Sequence, residues 1–379
     1  MSDTPKAYIA GIGMITSIGI DAASTAAAVD AEASGYHLSD FFNKQGHPMT
    51  LSTVPDEVFS LASIEIDDGN YGDEQAERII KMAILALYEA TSHLTSQQPL
   101  PLVLGMPEAM PSTPSGIPFC SDYPAPEKLI SNLLAQQYLP LRADWIQRLP
   151  TGRAAGIHGL ELAMRVLYEK GHDYVLVGGS DSYRDIKRLY DLDEDERVLA
   201  LNRTDGFVPG EGAGFLLLTR HPQLALSQNE QIIALHPPGI SEESGYFYAD
   251  SDQIYRGDGL DQAFKRALKE HSGADIQRIY SSMNGEHYWA KECGVALLRS
   301  RAHFQDPITI EHPADCYGDL GIATGSVLIG LAATQLLKQP GLATHMVYSS
   351  SDGPRRAAVR VEKIHQETDN QEKHNDRNR

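Results

Sequence analysis

Apolar residues recur along this chain in short blocks, and the spacing inside each block sets the element it predicts. Ala7 to Ile12 is a strand-like run with a glycine-rich exit through Gly13. The alanine-rich stretch Asp21 to Ala33 reads as a helix. Gln75 to Leu94 places Ile79, Ile80, Met82, Ala83, Leu85 and Leu87 at helical spacing. Leu102 to Leu104 is a short strand. Residues 34–75 alternate loop signals with short apolar runs, and residues 106–125 hold five prolines and predict a long loop. Pro126 to Gln137 is helical, with the proline in the first turn, where its missing N–H costs nothing. Arg153 to Lys170 is a longer helix, entered through Thr151-Gly152 and ended by Gly171 as a C-terminal cap. Tyr174 to Val177, before Gly178-Gly179, and Gly214 to Thr219 are strands.

The second half repeats the theme. Gln231 to Leu235, Ile279 to Met283, His345 to Ser350 and Ala357 to Glu362 read as strands, and Leu260 to Ser272, Trp289 to His303 and Ile322 to Leu337 as helices. Such alternation predicts a mainly parallel sheet with helices on its faces. It divides the chain into a half over 1–225, a similar half over 226–363, and a polar tail, 364–379, expected to be disordered.

At 379 residues and 42% hydrophobic content the chain can bury a sizeable core in two such halves. No stretch approaches the roughly 20 consecutive apolar residues of a membrane helix. Met1 to Lys6 lacks the basic start of a secretory signal, so the expected location is cytoplasmic. A net charge of −19 argues against nucleic acid and anionic membranes as partners. Cys120, Cys293 and Cys316 are odd in number and far apart, which fits a reducing compartment. No metal-ligand spacing appears, and neither a metal nor a cofactor is expected.

Two glycine-rich segments change the picture. The first is Ile9-Ala10-Gly11-Ile12-Gly13-Met14-Ile15-Thr16-Ser17-Ile18-Gly19, and the second runs from Asn202 through Arg203-Thr204-Asp205-Gly206-Phe207-Val208-Pro209-Gly210-Glu211-Gly212-Ala213-Gly214. Together, in this order and about 190 residues apart, they resemble the β-ketoacyl synthases of the thiolase-fold superfamily. Val177-Gly178-Gly179-Ser180-Asp181 sits where that family has a strand and two glycines. The resemblance implies two βαβα halves in a layered α/β/α/β/α arrangement. It implies a homodimer or heterodimer joined through edge strands near Tyr174 to Val177, an acyl thioester as substrate, and acyl carrier protein as a possible partner. A carrier protein is acidic, and Lys187, Arg188, Arg355 and Arg356 are the cations offered for docking it. Glu211, beside glycines, reads as a structural hydrogen-bonding acid.

The same resemblance marks where catalytic residues would stand. The nucleophilic cysteine position aligns with Arg153 in Thr151-Gly152-Arg153-Ala154-Ala155-Gly156, and the two histidine positions align with Asn284 and Asp319. The supporting lysine aligns with Ala314, and the closing loop with Ser350-Ser351-Asp352-Gly353-Pro354. A guanidinium stays protonated and is no nucleophile. At the positive end of a helix it needs an anion beside it. Arg153 and Asp319 are therefore expected to form a bidentate pair with Asn284 as a further polar contact, as a structural plug or as a ligand pocket. Cys316 and His287 are the substitutes a rearranged enzyme could use. His158 and Cys293 read as packing residues, and Ser180, Asp181 and His172 form no triad.

Overall fold

The computed structural model describes residues 5–61, 74–94, 98–108, 123–200, 203–249, 252, 255–271 and 275–366. Cys120, Asn202, most of the proline-rich loop and the tail from residue 367 lie outside them. The first half runs β1 (Ala7–Thr16), α1 (Ala22–Asp30), β2 (His37–Phe42), β3 (Pro48–Leu51), α2 (Asp56–Leu61), α3 (Glu74–Thr91), β4 (Leu100–Met106), α4 (Pro126–Ala135), β5 (Leu141–Pro150), α5 (Ala155–Tyr168), β6 (Tyr174–Ser182), α6 (Ile186–Glu194) and β7 (Glu211–Thr219). The second runs β8 (Gln231–Leu235), β9 (Gly239–Glu242), α7 (Asp258–Ala267), β10 (Ile276–Tyr280), α8 (His287–Arg299), β11 (Phe304–Glu311), α9 (Ala314–Tyr317), α10 (Thr324–Lys338), β12 (Thr344–Ser350) and β13 (Arg355–His365).

The strands stand in the order β5-β4-β6-β7-β1-β8-β13-β12-β10-β11, with β9 beside β13. Numbered from its own first strand, each half reads third, second, fourth, fifth, first. The directions repeat as well. β4 is parallel to β5 and β6, as β10 is to β11 and β12. β7 is antiparallel to β6 and β1, as β13 is to β12 and β8. The two half-units expected from the alternation are thus a true topological repeat. The expectation of a mainly parallel sheet was wrong, because the fourth and fifth strands of each half pair antiparallel. The second half shows why: only Ser351 to Pro354 separate β12 from β13, too few residues for a crossover.

Helices α5 and α10 lie between the two halves and pack on each other and on both sets of strands, while α3 covers the outside of the first and α7 that of the second. By composition, residues 321–338, at the start and along the length of α10, could cross a membrane. Val327, Leu328, Leu331 and Leu336 are instead fully buried against α5 and the strands. Each such side chain contributes about 1.5–3 kcal/mol to the core. The crossing of α5 and α10 needs glycine, since a Cβ on Gly156 would collide with the backbone nitrogen of Ser326.

Two placements differ from the sequence reading. β6 extends through Gly178-Gly179 to Ser182 and is paired on both sides, so it is not a dimer edge. The free edge of the first half is β5, which carries Arg142, Asp144 and Arg148 exposed and has too little apolar alternation to be seen as a strand. The expected tail begins late, because Ile364 and His365 still pair with β8. Glu211 is the structural acid anticipated: fully buried, it accepts hydrogen bonds from the Val54 N–H (2.7 Å), the Ser182 hydroxyl (2.6 Å) and Arg78 Nε (3.0 Å).

Candidate functional site

Each core helix begins with the same local device. Gly152, at φ +56°, opens a 3₁₀ turn over Gly152–Ala154 before α5, and Gly321, at φ +53°, opens one over Gly321–Ala323 before α10. These left-handed conformations favour glycine. A Gly-x-Ala-x-Gly pattern therefore recurs at 152–156 and 321–325, a sequence echo of the repeat that is invisible without the fold. Each turn is capped from the opposite half. The Ala154 N–H donates to Ser351 Oγ (3.0 Å), and the Ile322 N–H donates to Asp181 Oδ2 (3.1 Å).

Arg153 lies in the first turn and is 4% exposed. Its Nη1 donates to Asp319 Oδ2 at 2.6 Å, its Nη2 pairs with Asp352, and its guanidinium carbon sits 4.5 Å from the centroid of the Trp289 ring. Asn284 Nδ2 donates to the same Asp319 oxygen (2.8 Å), and the other oxygen takes the Gly321 N–H (2.8 Å). The three positions singled out by resemblance thus meet at one point. The bidentate Arg153–Asp319 pair expected from the sequence is not the geometry found. Arg153 divides its two terminal nitrogens between Asp319 and Asp352, because the loop after β12 brings a second carboxylate to it.

Further members were not anticipated. Arg197 donates from Nε and Nη2 to the two oxygens of Glu286 (2.7 and 2.8 Å) and from Nη1 to Asp352 Oδ2 (2.8 Å) and Tyr248 Oη (3.0 Å). Trp289 Nε1 also donates to Glu286 (2.9 Å). Nearby, Arg356 is wholly buried and donates from Nε to Glu292 (2.6 Å). Burial works to raise the Asp352 carboxyl, but the charges of Arg153 and Arg197 outweigh it and hold it down to about 2. Burial opposes the Arg153 charge too, and Asp319 and Asp352 more than restore it, so the group stays cationic. Asp352 is consequently a carboxylate at neutral pH, held between the Arg153 and Arg197 guanidiniums. The space beside it, lined by Glu108, Gly152, Asp181, Tyr183 and Arg188 among others, amounts to about 30 Å³. That is room for a water and not for an acyl chain.

The chain shares this architecture with known proteins. A model of the β-ketoacyl synthase N-terminal domain matches residues 147–223, the segment carrying Arg153 and the second glycine-rich motif. No curated protein matches the sequence significantly. Among solved structures, the ishigamide ketosynthase/chain length factor superposes with a TM-score of 0.71 at 17% identity, over 95% of this chain and 99% of that one. A ketosynthase in complex with its chain length factor from Xenorhabdus doucetiae gives 0.66 at 16% identity, over 94% and 98%. The oxazolomycin ketosynthase domain of Streptomyces albus gives 0.72 at 13% identity, over 96% and 75%. The chain has the thiolase-like fold of the ketosynthases.

Within this ketosynthase-like fold the other candidates fall outside the cluster. His287 Nδ1 pairs with Asp205 (3.1 Å), and its imidazole is 76% exposed at the start of α8. Cys316 is buried in α9, and burial, then the charges of Asp315, Glu32 and Glu311, push its thiol up, away from thiolate character. Cys293 packs in the core of the second half with its thiol pushed up by burial to about 11. Burial likewise lowers His158 to about 4, consistent with a neutral packing residue. Among the described residues no group of His, Cys, Asp and Glu could hold a metal.

Three of the four cations suggested for carrier-protein docking are engaged by acids of this chain. Arg356 is internal. Arg188 Nη1 donates to Asp181 (2.7 Å) with the guanidinium over Tyr183, and Arg355 pairs with Glu242. Arg355 and Arg356 find their partners, Glu242 and Glu292, in distant segments, which the sequence does not show.

Proposed function

We propose that this protein is a non-condensing, ketosynthase-like binding partner or adaptor whose ancestral reaction centre is filled by a structural ion cluster. The observation that carries this reading is the closed contact of Arg153 with Asp319 and Asp352. Decarboxylative condensation needs a thiolate to carry the acyl group and imidazoles to stabilise developing oxyanions. A permanent guanidinium, an amide and a carboxylate engaged by Arg153 supply neither. Solved ketosynthases of this fold are found with chain length factors, and a comparable heterodimeric role in the cytoplasm is the partnership we favour. The test is intact-protein mass spectrometry after incubation with acyl and malonyl thioesters, on wild type and Cys316→Ala. No adduct is expected on either. A stable adduct lost in Cys316→Ala would make this an acyltransferase with a relocated nucleophile.

The surface for such a partner, or for a second copy, is the free edge of β5. Two identical strands pairing antiparallel about a two-fold axis place one residue opposite itself. Centring on Trp145 would oppose Arg142 to Arg148 of the second copy. Centring on Ile146 opposes Asp144 to Arg148 twice, the favourable choice at about 0.2–1 kcal/mol per cross-strand pair. Asp144→Arg is therefore expected to weaken self-association, and the swap Asp144→Arg with Arg148→Asp to restore it, in sedimentation velocity. A wild type that stays monomeric at tens of micromolar concentration would leave β5 to a different chain.

A further inference from the structure

A cavity of about 320 Å³ opens where the end of α1 meets α10 and the strands β10 and β11. It shares no lining residue with the ion cluster and draws its walls from both halves of the chain. Its size is that of a small-ligand site, against the single water that fits beside Arg153. The floor is closed and mainly apolar: Ala26, Tyr280 and Leu331 are 4%, 3% and 2% exposed.

The charges around this floor do not balance. Arg278 Nη1 pairs with Glu311 at 2.5 Å, and Lys338 reaches Asp30 at 3.3 Å from outside the lining. Glu32 forms no ion pair among the described residues, so three carboxylates share two cations. Helix α1 adds to the excess. Its C-terminal end concentrates negative partial charge, yet its last turn holds no basic residue and ends on Asp30. Burial, then the charges of Glu311 and Asp30 against that of Arg278, push the Tyr280 hydroxyl up. The floor is therefore a neutral phenol, a ring that favours a cation over it. An anion would meet the surplus carboxylates here, and a wholly apolar ligand would bury them without a partner. A cation on an apolar stem satisfies both parts of the cavity.

We infer that this cavity binds a small organic cation, an aliphatic primary ammonium: its head lies among Glu32, Asp30 and the end of α1, and its stem covers Val29, Leu331 and the Tyr280 ring. Gln335, also in the lining, adds an amide oxygen as an acceptor. The site goes beyond the partner role proposed above and does not depend on how the ion cluster is read.

The experiment is a saturation-transfer NMR titration of the full chain with butylammonium, and with 1-butanol as its neutral counterpart. Salt at about 0.15 M screens the rest of a surface whose net charge is −19. Butylammonium is expected to saturate one site, and 1-butanol to bind about tenfold more weakly. Glu32→Gln should weaken butylammonium by about fivefold. Val29→Trp, which fills the space, should abolish its signal. Glu194→Gln removes an exposed acid on α6 and should change nothing. The site is overturned by a signal that does not saturate, by equal affinity for 1-butanol, or by an affinity that Glu32→Gln leaves unchanged. An equal loss in Glu194→Gln also overturns it, since that result marks adsorption to an acidic surface. Should Val29→Trp fail to fold, Glu32→Gln, at an exposed position, decides alone.

Discussion

Arg153→Met is expected to destabilise the protein by about 3–5 kcal/mol, because it leaves two carboxylates inside the molecule without their shared cation. Asp319 would keep only the Asn284 amide, the Gly321 N–H and a long Tyr183 contact (3.4 Å). Asp352 would keep Arg197. The loss should therefore fall mainly on Asp319, and Arg153→Met with Asp319→Asn should be more stable than Arg153→Met alone. That non-additivity is the signature of a buried pair, since removing the second charge cancels the desolvation cost left by the first. Urea unfolding followed by tryptophan emission measures both, with Trp289 stacked on Arg153 as the reporter. A loss under about 1 kcal/mol for Arg153→Met would mean that the cluster is solvated and that the plug reading is wrong.

Arg78→Met is the second large effect, also about 3–5 kcal/mol. Glu211 is fully buried within the second glycine-rich motif, and Arg78 is its counter-charge, with Nε 3.0 and 3.1 Å from its two oxygens and Nη2 also on the Val54 carbonyl (2.5 Å). Arg78→Lys should restore little, since an ammonium cannot reproduce the planar fork that serves Glu211, Asp56 and Val54 together. Glu211→Gln should cost less than Arg78→Met, because Arg78 retains Asp56, which is exposed and hydrated. Thermal unfolding of the three variants sets the order, and equal losses for Arg78→Met and Arg78→Lys support the geometric argument. A fully stable Arg78→Lys would reduce the pair to simple charge balance.

The sequence carried the fold through its glycines. Gly11, Gly13 and the Gly206–Gly214 run mark places where backbone meets backbone: a Cβ on Gly13 would overlap the Ala86 carbonyl oxygen. Such positions tolerate no side chain and so stand out in a single chain. β5 was illegible because its exposure follows no period, and α6 because its polar residues outnumber its apolar ones. At the site, Arg153, Asn284 and Asp319 could be named from aligned motifs. Asp352, Arg197, Glu286 and Glu108 could not, since each reaches the cluster from an irregular segment by a contact that only the folded chain creates. The acid in the otherwise small and polar loop Ser351 to Pro354 was the one signal available, and it was read only as a poor match to a gating loop.

The cross-capping of the two core helices bears on how the molecule is made. During synthesis the first half leaves the ribosome with α5 complete but without Ser351, the group that receives its Ala154 N–H. That serine lies between β12 and β13 of the second half. Asp181 meanwhile waits for the turn at Gly321 that will use it. The two halves share a topology, yet each central helix takes a first-turn cap from the other half, so the cap on α5 is in place only once Ser351 has been made.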